Sequence, residues 1–374
     1  MYNKNKKHRI IFFLPTFTKG GASESILRLS KFLASHNYSI SIISIGKNIY
    51  KKYLERIGCD VHELTTNRAI FSIFALRKLI KKDLINFSKT IVISNIHYAN
   101  VVTLLSSLKL KNLKVILTER SSLSELLIYE NLLKYLKNRL IFFLVKYLYK
   151  YSNLIITNSN FEKKFIKKKL NVNKIKTIHP ASISNIKKNL KKNKRNKVIK
   201  KIIYVGRLSK EKGIITILKA LTLVKKKKKY NFNLLIYGDG CEKLNIIKFI
   251  KSNNLKTNVI LKGFYNDEKK IFSNADLFIN ASWFEGLPNA LVQSINNNVF
   301  PICSRSPGGN LEVINNGKLG LFFETNDSIE LSEKIIFFFK KNLKLNQSQR
   351  IKHLKNFTEE KSNKEYLKTL LTIK

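Results

Sequence analysis

The sequence predicts an α/β protein made of two doubly wound domains in tandem, and three observations predict it. Short β-branched runs bounded by turns alternate with longer segments at helical period, the pattern of parallel strands with helices on both faces. A Lys- and Asn-rich run at 185–197 interrupts the alternation once, after which it begins again. The chain has 374 residues, 44% hydrophobic and 11% aromatic, and single cores stop growing at roughly 250 residues. Two Rossmann-like domains follow.

In the first domain, residues 9–14, 39–45, 90–94, 114–118 and 154–157 read as buried strands. Helices are expected at 23–35, 69–82, 99–108, 123–150 and 161–170, where apolar residues recur at helical spacing. Residues 185–199 are expected to form a linker, too polar to pack. Strands at 202–205, 233–237, 259–263, 277–280 and 300–304, with helices at 213–224, 242–252, 289–296 and 328–340, then repeat the pattern. The domains are expected at 1–184 and 200–356, with a terminal helix within 357–374 packing back on the first. Ligands of open α/β sheets sit outside the carboxyl ends of the strands where the strand order reverses. Two such domains are therefore expected to face each other across a cleft.

The 71 Lys and Arg against 24 Asp and Glu give a net charge of +47, which points to anionic partners such as phosphorylated substrates or an anionic membrane surface. Lys, Asn and Ile are abundant together, so part of the excess is compositional. Nucleic acid is disfavoured as a partner because no reader motif accompanies the charge. Cys59, Cys241 and Cys303 stand alone in sequence, which argues for a reducing compartment and against zinc. Residues 10–14 are too short an apolar run for a signal peptide. No run approaches the ~18 apolar residues of a spanning helix. A cytoplasmic protein, peripheral on the membrane's inner face, is the expectation. The segment 123–150 mixes Tyr135, Phe142, Phe143, Tyr147 and Tyr149 with Lys134, Lys137, Arg139, Lys146 and Lys150. It suits either a lipid headgroup layer or a core helix with snorkelling lysines.

The chemistry concentrates in the second half. Gly206-Arg207-Leu208-Ser209-Lys210-Glu211-Lys212-Gly213 follows a strand and opens a helix. A small residue, free helix amides and two cations, Arg207 and Lys212, suit a diphosphate. Gly238-Asp239-Gly240 reads as a tight turn, and Leu261-Lys262-Gly263-Phe264-Tyr265 closes the next strand. Ser282-Trp283-Phe284-Glu285-Gly286-Leu287-Pro288-Asn289 again leads from strand to helix, with Gly286 and Pro288 turning the Glu285 carboxylate toward the strand ends. Gln293 lies eight residues on, a little over two helical turns, and so on a similar side. Pro307-Gly308-Gly309-Asn310 offers bare amides before a further helix. In the first domain, Thr18-Lys19-Gly20-Gly21 forms a glycine loop before the first helix. His97 and Thr118-Glu119-Arg120-Ser121 follow later strands.

These segments together resemble the donor-sugar site of family 4 glycosyltransferases, with the specific matches between Gly206 and Glu312 and only a loose match in the first domain. The resemblance implies the GT-B fold and a retaining, metal-independent transfer from a nucleotide diphosphate sugar, taken as UDP-linked, with no further cofactor. The acceptor it implies is lipid-linked or a polysaccharide, in cell-surface glycan synthesis such as lipopolysaccharide, O-antigen or capsule. By resemblance Arg207 and Lys212 stabilise the departing diphosphate and Glu285 meets the donor sugar. Donor contacts fall to Gly20, Gly21, Gly206, Gly238, Gly263, Phe264, Gly286, Leu287, Asn289, Gln293, Gly308 and Gly309. His97, Glu119 and Arg120 are acceptor-side candidates. The family usually has glutamate at the position of Gln293, bridging the ribose hydroxyls, so weaker donor binding is expected. A nucleotide-sugar-binding protein without turnover and a sugar-nucleotide epimerase of the same architecture remain alternatives.

Overall fold

Runs such as Ile10, Ile11, Phe12 and Phe13 carry no polar alternation because both faces of their strand are covered, and each of these side chains is fully buried. The computed structural model describes residues 8–18, 20–66, 69–129, 131–188, 199–265 and 267–373. The chain divides into two units, Met1–Ala181 with Glu359–Lys374, and Ser182–Thr358.

The first unit runs β1 (His8–Leu14), α1 (Gly21–Ser35), β2 (Ser39–Ile45), α2 (Lys51–Arg56), β3 (Asp60–Leu64), α3 (Ile73–Asn86), β4 (Lys89–Asn95), α4 (His97–Ser107), β5 (Leu113–Glu119), α5 (Leu132–Leu148), β6 (Leu154–Thr157), α6 (Asn160–Leu170) and β7 (Ile175–Thr177). The second runs β8 (Ile199–Val205), α7 (Ile214–Lys226), β9 (Asn231–Tyr237), α8 (Lys243–Ser252), β10 (Val259–Gly263), α9 (Glu268–Phe272), β11 (Leu277–Asn280), α10 (Asn289–Asn296), β12 (Phe300–Ser304), α11 (Asn310–Val313), β13 (Leu321–Phe323), α12 (Ser328–Lys341) and α13 (Gln347–Leu354). A last helix, α14 (Glu359–Thr372), belongs to the first unit. Its Tyr366 and Leu370 join the core formed by β1, β2 and α1, and Lys176 ties it to the sheet through Thr369 and Glu365, each at 2.9 Å.

Both sheets are parallel, ordered β3-β2-β1-β4-β5-β6-β7 and β10-β9-β8-β11-β12-β13. The order reverses between β1 and β4 and between β8 and β11, which fixes where each unit presents a ligand crevice. The expected α/β doubly wound fold is borne out.

Several elements differ from the sequence reading. The long helix expected at 123–150 is broken into a 3-10 turn at Leu123–Leu127 and α5, because Ser122 and Asn131 each turn a side-chain oxygen back onto a following backbone N–H. The short strands β3, β7 and β13 went unread because each lies at a sheet edge, where one flank lacks a partner and no long apolar run is required. The expected linker at 185–199 opens as packed chain: Lys187 N–H donates to Asn296 Oδ1 at 3.1 Å, and its carbonyl accepts from Arg350 Nη2 at 2.7 Å. Its remaining stretch, 189–198, lies outside the described residues, as does Lys19 of the glycine loop.

Candidate functional site

At the β8/β11 switch point two strands end side by side, and the loop after each carries one half of a charged pair. The loop after β8 reaches a short 3-10 turn at Lys210–Lys212 and then Gly213, which opens α7. Gly213 has φ +65°, and a Cβ there would stand 2.1 Å from the Ala281 carbonyl oxygen. Only glycine lets this loop lie against the end of β11. The contact brings Trp283 N–H onto the Glu211 carbonyl at 2.8 Å. It also sets Lys212 Nζ 2.8 Å from Glu285 Oε1, the same oxygen that accepts from Ser282 Oγ at 2.7 Å.

A third loop closes on the pair. Glu285 N–H donates to the Pro307 carbonyl at 3.0 Å and Gly309 N–H to that of Gly286 at 2.9 Å. Gly308 has φ +123°, and a Cβ there would fall 1.6 Å from the Glu285 carbonyl oxygen. Asn310 Nδ2 holds the loop to the Ser304 carbonyl and the Ser306 hydroxyl at 2.9 and 3.0 Å, and Ser304 Oγ donates to the Ser282 carbonyl at 2.6 Å. Ser282, Ser304 and Asn310 carry this lacing, and no spacing in the sequence singles them out.

The electrostatics are uneven. Lys212 and Glu285 are 17% and 14% exposed, whereas the Arg207 side chain is 76% exposed and among the described residues pairs only with Glu211, at 3.6 Å. One cation is held in place and the other stands in solvent. Beneath them the Tyr204 hydroxyl donates to the Arg207 carbonyl at 2.8 Å. Burial, with the Glu285 and Glu211 carboxylates nearby, pushes this phenol far up, so it stays a neutral donor. The turns after β8, β9 and β10 are tied in series, Gly206 N–H to the Tyr237 carbonyl at 3.0 Å and Gly238 N–H to that of Gly263 at 2.8 Å. Phe264 follows, 56% exposed. A held lysine, a solvent-facing arginine and a carboxylate at one switch point can bind a diphosphate next to a polyhydroxylated group.

In the first unit the β1/β4 switch point is flanked by the glycine loop and by Ile96. A Cβ at Gly20 would meet nothing within 4 Å, so neighbouring atoms leave the loop open. Gly21 is the first residue of α1. Ile96 adopts φ 75° and ψ 142°, a strained conformation for a β-branched residue, just before buried His97. His97 and Glu119 are both buried, with Nδ1 3.9 Å from Glu119 and Nε2 3.3 Å from Glu125, and neither ring nitrogen makes a hydrogen bond among the described residues. Burial lowers the imidazole to about 3 and raises the Glu119 carboxyl well above its usual range, so this is a neutral cluster rather than an ion pair. Tyr149 and Asn100 donate to Glu119 Oε1. Glu162, buried beside the Leu123 amide and the Ser122 hydroxyl, is raised to about 7 by that burial. Of the three acceptor-side candidates only Arg120 keeps an exposed portion. Its Nε donates to Asn95 Oδ1 at 2.7 Å, and its carbonyl accepts from Asn158 at 2.8 Å.

A family model described as Glycosyl transferases group 1 matches residues 185–358, and one described as Glycosyltransferase Family 4 matches residues 19–181. The chain belongs to the family 4 glycosyltransferases. Its relatives include a Campylobacter jejuni alpha-1,4-N-acetyl-D-galactosaminyltransferase whose name gives a diNAcBac-PP-undecaprenol-linked saccharide as acceptor; it is 25% identical over 98% of this chain and 99% of its own. Among solved structures, a glycosyltransferase from Rickettsia africae superposes with a TM-score of 0.76 at 19% identity, covering 98% of both chains. Anabaena HepE, crystallised with UDP, matches with a TM-score of 0.76 at 17% identity over 97% of this chain and 100% of that one. The fold is that of the GT-B glycosyltransferases.

Within this family 4 glycosyltransferase the remaining donor candidates differ in what they can offer. The Leu287 side chain is buried in the core of the second unit, so only its backbone is available to a ligand. Asn289 Oδ1 already accepts from Ser182 Oγ at 2.7 Å, a tie between the segment before β8 and the start of α10. Gln293 is half-buried on α10, and its side-chain amide makes no hydrogen bond among the described residues, although its backbone carbonyl accepts from Asn297. No group of three His, Cys, Asp or Glu is placed to hold a metal ion, and no helix is long and apolar enough to cross a membrane, among the described residues.

Proposed function

We propose that this glycosyltransferase is a retaining, metal-independent hexosyltransferase. It takes a sugar from a UDP-linked donor held by the second unit and passes it to a lipid-linked or polysaccharide acceptor held by the first. The work is cell-surface glycan assembly at the inner face of the cytoplasmic membrane, with the enzyme bound there peripherally. The observation that carries the reading is the Lys212–Glu285 pair at 2.8 Å beside a solvent-facing Arg207. The UDP bound by the Anabaena protein and the undecaprenol-linked acceptor in the Campylobacter name support the donor and acceptor classes.

In this reaction the bond between the donor's anomeric carbon and the diphosphate oxygen breaks, and the departing UDP carries the developing negative charge. Arg207 and Lys212 stabilise that charge, which is greater in the transition state than in the bound donor. The acceptor hydroxyl forms its bond to the anomeric carbon on the same face, and its proton passes to the leaving phosphate oxygen. Glu285 orients the sugar hydroxyls and releases Lys212 to the phosphate. No enzyme nucleophile enters.

The test is to incubate the enzyme with a panel of UDP-sugars and a short-chain polyprenyl diphosphate saccharide, then determine the product's anomeric configuration by NMR. Retained configuration, transfer that survives EDTA, and a loss of roughly two to three powers of ten in kcat/KM for Lys212→Gln are expected. Inverted configuration, or full activity in Lys212→Gln, overturns the reading. The unengaged Gln293 amide favours a second reading, a nucleotide-sugar binder without turnover; release of no UDP by either the native chain or Gln293→Glu would establish it.

A further inference from the structure

Helix α5 is apolar on two opposite sides, and only one of them is used. Asn138, Val145 and, just past its end, Tyr149 face the interior. About half a turn away, Leu133 (83% exposed), Leu136 (56%), Leu140 (61%), Phe143 (54%) and Tyr147 (51%) form a stripe on which no other element packs among the described residues. Their spacing of three and four residues keeps them on one line along the helix. Lys134 and Lys137 border the stripe on one side, Arg139, Lys146 and Lys150 on the other, and the helix has no acidic residue.

A second exposed apolar group shares the same edge of the first unit. Phe71, in the 3-10 turn Ala69–Ser72, and Phe74, in the first turn of α3, are 64% and 83% exposed. Helix α4 packs against α3 through Ala99 and Val102 and against α5 through Val101 and Leu104, so the three helices lie side by side on one face of the sheet. Helices α3 and α5 each follow a strand, β3 and β5, and their first turns therefore stand at the carboxyl edge of the sheet. Lys78 and Lys81 are exposed on α3 behind the two phenylalanines.

We infer that the α5 stripe and the Phe71/Phe74 pair form one docking surface for an anionic lipid bilayer, with apolar side chains entering the headgroup boundary and flanking lysines meeting lipid phosphates. The inference deepens the peripheral-membrane reading above and rests on it. Charge decides the occupant. Heptad-like spacing would also suit a second copy of the helix, but pairing two such helices would set Lys137, Arg139 and Lys146 of one against the same cations of the other. An anionic surface turns each of those cations from a repulsive into an attractive group. The surface puts the α3–α5 face of the unit proposed to bind the acceptor against the layer that would carry a lipid-linked acceptor.

The full-length enzyme is floated with vesicles of phosphatidylcholine alone and of phosphatidylcholine mixed with phosphatidylglycerol. Binding to the anionic vesicles only, weakening as salt is added, is expected. The triple variant Leu133→Gln, Leu136→Gln, Leu140→Gln and the double variant Phe71→Gln, Phe74→Gln should each lose roughly tenfold or more in partitioning. All replaced residues are exposed, and Leu244→Gln on α8, equally exposed, is the control that should bind as the native chain does. The same variants should keep transfer to a water-soluble acceptor, which tests the glycosyltransferase reading separately. Vesicle binding by the native chain that the stripe variants retain overturns this surface and leaves the membrane reading standing; no vesicle binding by the native chain overturns both. A native dimer that the triple variant dissociates would assign the stripe to a second copy instead.

Discussion

Lys212 is already paired with Glu285, so on the proposed reading a diphosphate would bind it by exchange with that carboxylate rather than by addition to a free cation. Arg207 is exposed and loosely paired, and on the same reading would meet the diphosphate at lower cost, so the two cations differ in setting although the sequence presents them alike. Gln293 has no such commitment. Placing a carboxylate there replaces a neutral acceptor with a charged one, a difference of about 1 kcal/mol, so Gln293→Glu should tighten UDP binding by about fivefold in calorimetry. Unchanged affinity would mean that position 293 does not meet the ribose. In the first unit the titration of single groups sets a pH dependence. Glu162, at about 7 when folded against 4.5 unfolded, holds its proton more tightly in the native state. Its contribution is favourable below about 4.5 and lost as pH rises toward 7, on the order of a few kcal/mol. His97, lowered to about 3 from 6.5, has the opposite slope, its penalty growing as pH falls below 6.5. Thermal melts of Glu162→Gln should therefore gain on the native chain as pH rises from 4.5 to 7, and those of His97→Gln as pH falls below 6.5. Parallel curves across that range would refute the assignments.

The three loops of the candidate donor site act as one element because glycine lets their backbones touch. Gly308→Ala would drive a Cβ into the Glu285 carbonyl and force a left-handed backbone onto alanine, so the loop must move and carry Glu285 away from Lys212. Activity should fall at least a hundredfold, while the melting temperature drops by only a few degrees because the loop can relax outward. Near-native kcat/KM for Gly308→Ala would show that the lacing is incidental. Strands buried on both faces were legible from composition alone: β2, β6, β11 and β12 match the expected limits residue for residue, since burial on both faces favours apolar and small side chains. Edge strands such as Asp60–Leu64 and Ile175–Thr177 were not, because a half-exposed strand is allowed polar residues. The places of Arg207, Lys212 and Glu285 in the loops after β8 and β11 were legible because strand-to-helix turns are written locally in the sequence. The Ser304 and Asn310 ties, Asn95 beneath Arg120 and the burial of His97 were not, because each depends on which strand ends stand side by side. The α5 stripe is visible in the sequence as apolar residues, but only the fold shows which of its two apolar sides is left open.

Over the whole molecule, 71 cations share 24 anions, so even if every acid were paired most lysines would face other lysines. Salt therefore screens more repulsion than attraction. Surface pairs such as Lys364–Glu360 and Arg305–Glu324 lose strength as salt is added, but pairs this exposed contribute little to stability. The unscreened field of the net charge reaches about 30 Å at 0.01 M salt and only about 8 Å at 0.15 M, so at low salt it couples charges across most of a unit. Folding brings those charges closer than the unfolded chain holds them, and the repulsion acts mainly on the native state. Raising sodium chloride from about 0.01 to 0.15 M should then raise the melting temperature of the native chain by several degrees. The same change should weaken its hold on anionic vesicles, because there the charge is attractive. Opposite signs in the two measurements are the signature of a single cause. A melting temperature that falls with added chloride would show that specific ion pairs, not the net charge, govern the stability of this glycosyltransferase.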